Sequence, residues 1–357
     1  MIDTATGHQI FFRCDSNTRH GFGHTARCMN LAHALRAQHP AEIAFIGDFG
    51  SFARGLLAEN GFQVIACSED RPTPQELLAR LAPRSLLVVD HYGVDQAFVD
   101  AMAEAQRRPV YFVDEDHLDY QGKSLALISI RLDGQEMRLK RFDIPVFSGS
   151  EYLVVSPEFT ALRQQFEGVH VRRTAQHITI FLSGSQGQFQ REQIVAQAVA
   201  EAATNLELHL ITNHVSEHRA STDLKSHVDL RLEGPTTQFA KRLAQTDLLI
   251  CGGGLLKYEA AYCGLPSAIC SVSDLQHKDS LEFCGRGLAW DLGAWSQAEF
   301  VHGLRTKLST IIADQHLRQR LRHNCHALFR RDSTQRLARH LLKLNAEQDD
   351  HGRQTAL

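Results

Sequence analysis

The chain has no excess of positive charge: 38 Lys and Arg stand against 41 Asp and Glu, for a formal charge of -3. Neither a phosphate backbone nor an anionic lipid surface would find the cations it needs, so nucleic acid and membrane are not expected partners. No stretch approaches the roughly 20 consecutive apolar residues of a membrane span. The N-terminus is polar from Met1 to Gln9, and the apolar run Ile10 to Phe12 stops at Arg13 and Asp15, so no signal peptide is read there. Cysteine never occurs as a C-x-x-C pair: Cys14, Cys28, Cys67, Cys251, Cys263, Cys270, Cys284 and Cys325 are scattered, with no histidine at zinc-ligand spacing. Reduced thiols in a cytoplasmic chain are expected. The 20 histidines fall mostly singly in polar stretches, as His316, His323 and His326 do, and read as surface or satisfied groups rather than metal ligands. No metal and no cofactor is expected. A fixed-period repeat, a low-complexity block and a G-x-x-x-x-G-K-[ST] phosphate loop are also missing, the last of which argues against phosphoryl transfer from ATP.

What is present is an alternation. With 357 residues the chain exceeds what one hydrophobic core serves, and two domains are expected. Short β-branched and apolar runs predict strands at Ile10 to Arg13, Glu42 to Ile46, Gln63 to Ala66, Ser85 to Val89, Val110 to Val113 and Leu125 to Ile128. Helices are expected between them: Thr25 to Gln38, with Ala26, Met29, Ala32 and Leu35 at three- and four-residue spacing and Cys28 and Leu31 beside them, then Gln75 to Ala82 and Gln96 to Gln106. From Arg131 to Arg173 the periodicity fades, and the crossing between domains is expected near Phe159 to Arg172. The alternation restarts with strands at His177 to Leu182, Glu207 to Thr212, Asp229 to Leu232, Leu248 to Cys251 and Ser267 to Cys270, and a last helix at Ser333 to Leu344 before a frayed polar tail. Strands separated by helices specify parallel sheets wrapped on both faces. The expected fold is therefore α/β, two doubly wound Rossmann-like domains at residues 1–160 and 173–345, with a ligand cleft between them where loops at the carboxyl ends of the strands gather.

Four such loops carry candidate chemistry. Gly21, Phe22, Gly23 and His24 follow the first strand and lead into a helix, whose free N–H groups favour an anion. The helix dipole disfavours imidazolium, which suits His24 to act as a neutral general base, although a turn with an incidental capping histidine has the same spacing. Val88 to Tyr92 is a buried run ending in polar residues, where Asp90 and Tyr92 could orient a base or bind a sugar hydroxyl, and Asp95 could cap the next helix. Asp114, Glu115 and Asp116 could bind a metal, but such a cluster is more often a solvated loop. Finally, Cys251-Gly252-Gly253-Gly254 precedes a helix with Lys257 and Glu259 in its first turns, a pattern suited to a diphosphate and to ribose hydroxyls. Gly21 to Glu42 lacks the third glycine of a dinucleotide fingerprint.

Taken together, "GFGHTARCMNLAHAL" (21–35), "VVDHYGVD" (88–95), "YLVVSPEFTALR" (152–163), "LSGSQGQ" (182–188) and "LLICGGGLLKYEAAYCGLPSAI" (248–269) resemble the UDP-sugar hydrolases of the pseudaminic acid pathway. Those enzymes release UDP from UDP-2,4-diacetamido-2,4,6-trideoxy-β-L-altropyranose, and their wider group includes spore-coat polysaccharide proteins and MurG-like glycosyltransferases. The resemblance implies a GT-B architecture, no metal, and cleavage at an anomeric carbon. By position it implies that His24 is the active-site histidine, with Tyr92 beside it and Arg27 the arginine of the same motif. It also implies that Glu259 binds the nucleoside and that Gln276 lies in the sugar-binding stretch, here after Leu275 where the family has Asn. Two departures fall where phosphate and sugar are held. The small hydroxyl residues after the glycine loop are Leu255 and Leu256, and the G-G-S-D loop reads Ser183-Gly184-Ser185-Gln186.

The leading expectation is a hydrolase acting on a UDP-linked amino-deoxy sugar. His24, oriented by Tyr92 or Asp90, deprotonates water for inverting attack, while Gly21, Gly23, Arg27, Gly184, Ser185, Gly252, Gly253, Gly254, Glu259 and Gln276 hold the ligand and Lys257 stabilises the departing diphosphate. A metal-independent glycosyltransferase would use the same scaffold with a sugar or lipid hydroxyl in place of water. A noncatalytic nucleotide-sugar binder is the reading from another class. The sequence does not specify an oligomeric state and is compatible with a monomer.

Overall fold

A computed structural model describes residues 8–17, 21–67, 73–82, 85–113, 118–129, 131–132, 143–183, 188–221, 228–234, 236 and 238–354. They form two compact units: Met1–Val155 with Asp332–Leu357, and Ser156–Arg331. Among the described residues no helix is long and apolar enough to cross a membrane.

In the first unit the strands are β1 (His8–Arg13), β2 (Ala41–Gly47), β3 (Gln63–Ala66), β4 (Leu86–Val89), β5 (Val110–Phe112), β6 (Ala126–Ser129) and β7 (Val146–Ser148). They pair in parallel in the order β3-β2-β1-β4-β5-β6-β7. Because successive side chains alternate across a strand, a sheet covered on both faces buries both sets. Ile10 and Phe12 join one core cluster with Phe45 and Val88, while Phe11 joins another with Ile46, Leu87 and Val89.

The second unit has β8 (His177–Phe181), β9 (Leu206–Ile211), β10 (Val228–Glu233), β11 (Leu248–Cys251), β12 (Ser267–Ser271) and β13 (Trp290–Ala294). Their order is β10-β9-β8-β11-β12-β13, again parallel. Strand order reverses between β1 and β4 in one sheet and between β8 and β11 in the other. These are the topological switch points at which open α/β sheets offer their loops to ligands.

The division differs from the expected boundaries at both crossings. The chain passes from the first unit to the second between Val155 and Ser156, ahead of the expected Phe159 to Arg172. Ser156 caps the helix Pro157–Glu167, accepting from the Phe159 N–H, and that helix belongs to the second unit. Arg163 ties it there, donating to the carbonyls of Tyr262 (3.0 Å) and Phe329 (2.8 Å). At Asp332 the chain returns. The last helix, Ser333–Gln354, runs well past the expected Leu344 and buries Leu337, Ala338 and Leu341 in the first unit's core beside Leu31 and Leu35. Thr334 secures the return by accepting from the Val155 N–H at 2.9 Å.

Candidate active site

At the first switch point, the loop after β1 and the loop after β4 meet. The first helix begins at Gly23, two residues before the expected Thr25, so His24 stands within its first turn. Its buried face also differs in phase from the expected stripe: Ala26 and Met29 are only partly buried, whereas Thr25 and Arg27 are buried with Cys28, Leu31, Ala32 and Leu35. The displaced position is explained by Asp90, which sits at the carboxyl end of β4 with 2% of its side chain exposed.

Arg27 grips Asp90 with two donors, Nε to Oδ2 at 2.8 Å and a terminal nitrogen to Oδ1 at 2.7 Å. Its guanidinium lies 4.4 Å from the centre of the Phe112 ring, a cation–π contact that accounts for a buried arginine here. His24 Nδ1 lies 2.6 Å from Asp90 Oδ1, and the Cys28 thiol lies 3.7 Å from Oδ2. Burial alone would raise the pKa of Asp90, but the charge of Arg27 and the hydrogen bonds from His24 and Arg27 outweigh it and hold the carboxyl well below the usual range. An ionised carboxylate only accepts, so the hydrogen of a neutral His24 is on Nδ1 and the lone pair is on Nε2. Among the described residues Nε2 has no hydrogen-bond partner, and the ring is 14% exposed. Tyr92, 68% exposed, packs edge-on against the His24 ring with centroids 4.5 Å apart. Asp90 is thus the hydrogen-bonding anchor of His24 and Tyr92 its ring neighbour. Arg27 is buried behind Asp90, where it positions the carboxylate. Gly21 is exposed, with open space where a Cβ would stand.

Beneath this dyad lies a second acid–histidine pair absent from the expected site residues, Asp15 with His91 (2.6 Å). Arg13, fully buried at the end of β1, also binds Asp15. A charged residue closing an otherwise apolar strand run was the one signal of it in the sequence.

At the second switch point, β11 runs into Gly252, Gly253 and Gly254 and the helix Leu256–Cys263. The first two glycines are dictated by packing rather than by a ligand. A Cβ on Gly252 would stand 2.2 Å from the Leu182 carbonyl oxygen, and one on Gly253 2.7 Å from Ser280 Oγ. Gly254 is exposed, and a Cβ there would meet open space, so of the three glycines it alone presents backbone to solvent.

Lys257 does not stand where a departing diphosphate could meet it. Its side chain is fully buried, and its ammonium donates to the Gly253 carbonyl at 2.7 Å and to Asp279 Oδ2. Asp279 is held in turn by the Tyr258 hydroxyl at 3.0 Å. The lysine braces the glycine loop from within. Asp279 is 19% exposed and keeps the Tyr258 hydroxyl, so Lys257→Ala should lower unfolding free energy by about 1–3 kcal/mol, the cost of losing hydrogen bonds to a charged group. Urea denaturation checks this, and a loss under about 1 kcal/mol would return the lysine to the surface.

Glu259, in the first turn of the same helix, is half-buried. Among the described residues its carboxyl has no hydrogen-bond or ion-pair partner, and burial pushes its pKa up to about 7. Gln276 is engaged by the protein itself, its amide oxygen accepting from the Val272 N–H at 3.3 Å. Gly184 and Ser185, like Asp114, Glu115 and Asp116, lie outside the described residues. Among the described residues no group of three His, Cys, Asp or Glu is arranged to hold a metal ion. All eight cysteines are free thiols.

Two parallel doubly wound sheets, with polar loops at both switch points, are the architecture of the GT-B fold. Among solved structures the chain is similar to the crystal structure of Acinetobacter baumannii MurG, with a TM-score of 0.65 and 13% identity over 94% of this chain and 99% of that one. It is also similar to the spinosyn rhamnosyltransferase SpnG complexed with thymidine diphosphate, with a TM-score of 0.60 and 14% identity over 94% and 99% of the two chains. Among curated proteins it is 23% identical to the spore coat polysaccharide biosynthesis protein SpsG of Bacillus subtilis, over 78% of this chain and 82% of that protein. It is 20% identical to the uncharacterized protein MJ1062 of Methanocaldococcus jannaschii over 74% of this chain, and the match spans only 56% of that protein's length. No family model matches the chain.

Proposed function

We propose that this chain is an enzyme that moves the glycosyl group of a nucleotide sugar to a hydroxyl by inverting attack at the anomeric carbon. The observation that carries this reading is the His24–Asp90 dyad at a switch point, with the imidazole lone pair on the outward nitrogen. His24 Nε2 takes the proton of the attacking hydroxyl. That oxygen bonds to the anomeric carbon as the bond to the diphosphate breaks, and the electron pair leaves with the nucleoside diphosphate. Gly254 and the helix start beyond it receive the diphosphate, and Glu259 accepts from the ribose hydroxyls. Gly21, Gly23 and Tyr92 line the reacting side, and Gln276, Gly184 and Ser185 belong to the sugar-binding part.

Transfer to a sugar or other acceptor is favoured by MurG and SpnG, both similar in fold, and by the polysaccharide-synthesis name of the Bacillus relative. Hydrolysis, with water as the hydroxyl and a UDP-linked diacetamido-trideoxy sugar as donor, is the second reading. It rests on the two motifs resembling the UDP-sugar hydrolases, G-x-G-H-x-x-R and D-H-Y-G-x-D, which meet in this one dyad. Incubating the protein with UDP- and TDP-sugars, with and without saccharide acceptors, and following diphosphate release separates the readings. Release that requires acceptor supports transfer, and release in water alone supports hydrolysis. Tight binding with no release over hours would leave only a noncatalytic binder.

The nucleoside role of Glu259 has a pH signature. Its pKa is raised, so the folded state holds the proton more tightly than the unfolded chain. Stability therefore falls as pH rises from about 4.5, its ordinary value, to about 7. The ionised carboxylate accepts from hydroxyls more strongly than the carboxylic acid does, so nucleoside diphosphate affinity should weaken as pH drops below about 7. Calorimetry between pH 5.5 and 8 checks this against Glu259→Gln, which retains the ligand's own phosphate titration. Identical pH dependence in both proteins would remove Glu259 from the nucleoside site.

A further inference from the structure

Two acid–histidine pairs cross between the same two loops. Asp90, after β4, holds His24 of the helix that follows β1, and Asp15, after β1, holds His91, after β4. The second pair is 2% exposed on both sides, too deep to touch a ligand. Its hydrogens are settled by its partners. The Gly93 N–H donates to His91 Nδ1 at 2.7 Å, so Nδ1 carries the lone pair, and Nε2 donates to Asp15. Asp15 also accepts from the Asp48 N–H at 2.9 Å. Burial alone would raise its pKa, but the His91 and Arg13 hydrogen bonds and the Arg13 charge bring it down to about 2. The Asp90 N–H donates to the Arg13 carbonyl at 2.9 Å, so residues 90 and 91 are tied to the end of β1 and the loop after it, and residue 93 is tied to the His91 ring.

Buried polar pairs of this kind contribute little net stability compared with apolar groups of the same volume, so geometry rather than energy accounts for this one. We propose that Asp15–His91 is a positioning pair that fixes the loop carrying Asp90 and Tyr92, and through it the orientation and tautomer of His24. The proposal rests on the reading of His24 as the acting base. His91 is a positioning residue, the chain neighbour of the aspartate that anchors the base.

The test is nitrogen-15 NMR of the imidazoles in the resting, ligand-free protein. The wild type should show opposite tautomers, hydrogen on Nδ1 for His24 and on Nε2 for His91. In His91→Asn the shorter amide reaches Gly93 but not Asp15, and His24 should become a tautomer mixture. With the nucleotide sugar as substrate, kcat should fall about 10- to 100-fold at a KM within twofold, as expected for a misplaced group. In His91→Gln, whose amide nitrogen takes the place of Nε2, both readouts should stay near wild type. A His24 spectrum unchanged in His91→Asn would overturn the proposal, and so would hydrogen on Nδ1 of wild-type His91. The wild-type assignment can overturn the proposal even if His91→Asn does not fold. The spectra need no substrate, so a failure of the functional reading would show separately, as absent turnover with the opposite tautomers intact.

Discussion

Replacing His24 by alanine should lower turnover by about 10²- to 10⁴-fold, the usual cost of losing a positioned general base. Nucleoside diphosphate should still bind within a few-fold of wild type by calorimetry, because Gly254 and Glu259 lie on the second unit, on a different sheet from His24. The variant should also remain folded. His24 is 14% exposed, and Asp90 keeps both Arg27 hydrogen bonds without it. Near-normal kcat in His24→Ala would discard the base assignment and turn attention to Tyr92. Loss of binding would instead make His24 a ligand anchor and favour the noncatalytic reading.

The alternation of apolar runs and helical patterns made two parallel sheets legible, because a strand buried on both faces needs a continuous apolar run. Leu86–Val89 and Leu248–Cys251 are such runs. Val146–Ser148 and Trp290–Ala294 were not foreseen: the first has three residues, and the second includes Asp291 and Gly293 and pairs across a register shift. The last helix shows why unit boundaries are harder to read than elements. Its amphipathic period says that one face is buried, not which core buries it. The candidate site divides in the same way. A histidine at a helix start is visible in a one-dimensional pattern. The carboxylate that sets its tautomer lies 66 positions away and is brought to it only by the pairing of β1 with β4. Lys257 misled because its spacing from the glycines suits an anion, while the partner that turns it inward, Asp279, lies 22 positions on.

Asp90→Asn tests whether Asp90 and His24 act as one unit. The asparagine keeps the shape but loses the charge, and because both Asp90 oxygens accept from Arg27, its N–H donor faces the guanidinium in either amide orientation. The neutral amide no longer stabilises the imidazolium that forms as His24 takes the proton, and wherever its N–H faces Nδ1 the ring hydrogen is drawn to Nε2, where the attacking hydroxyl's proton has to go. Turnover should therefore fall by about 10²- to 10⁴-fold, comparable to His24→Ala, with nucleoside diphosphate affinity unchanged. The double variant should be no slower than His24→Ala alone, since groups that act as a unit are far from additive. Asp90→Ala is the harsher change, leaving the Arg27 guanidinium buried without its counter-charge at about 3–5 kcal/mol. Denaturation measured beside kinetics separates that loss of stability from the loss of the base. Multiplicative rate losses in the double variant would mean that Asp90 serves the reaction independently of His24, and the tautomer argument would then fail.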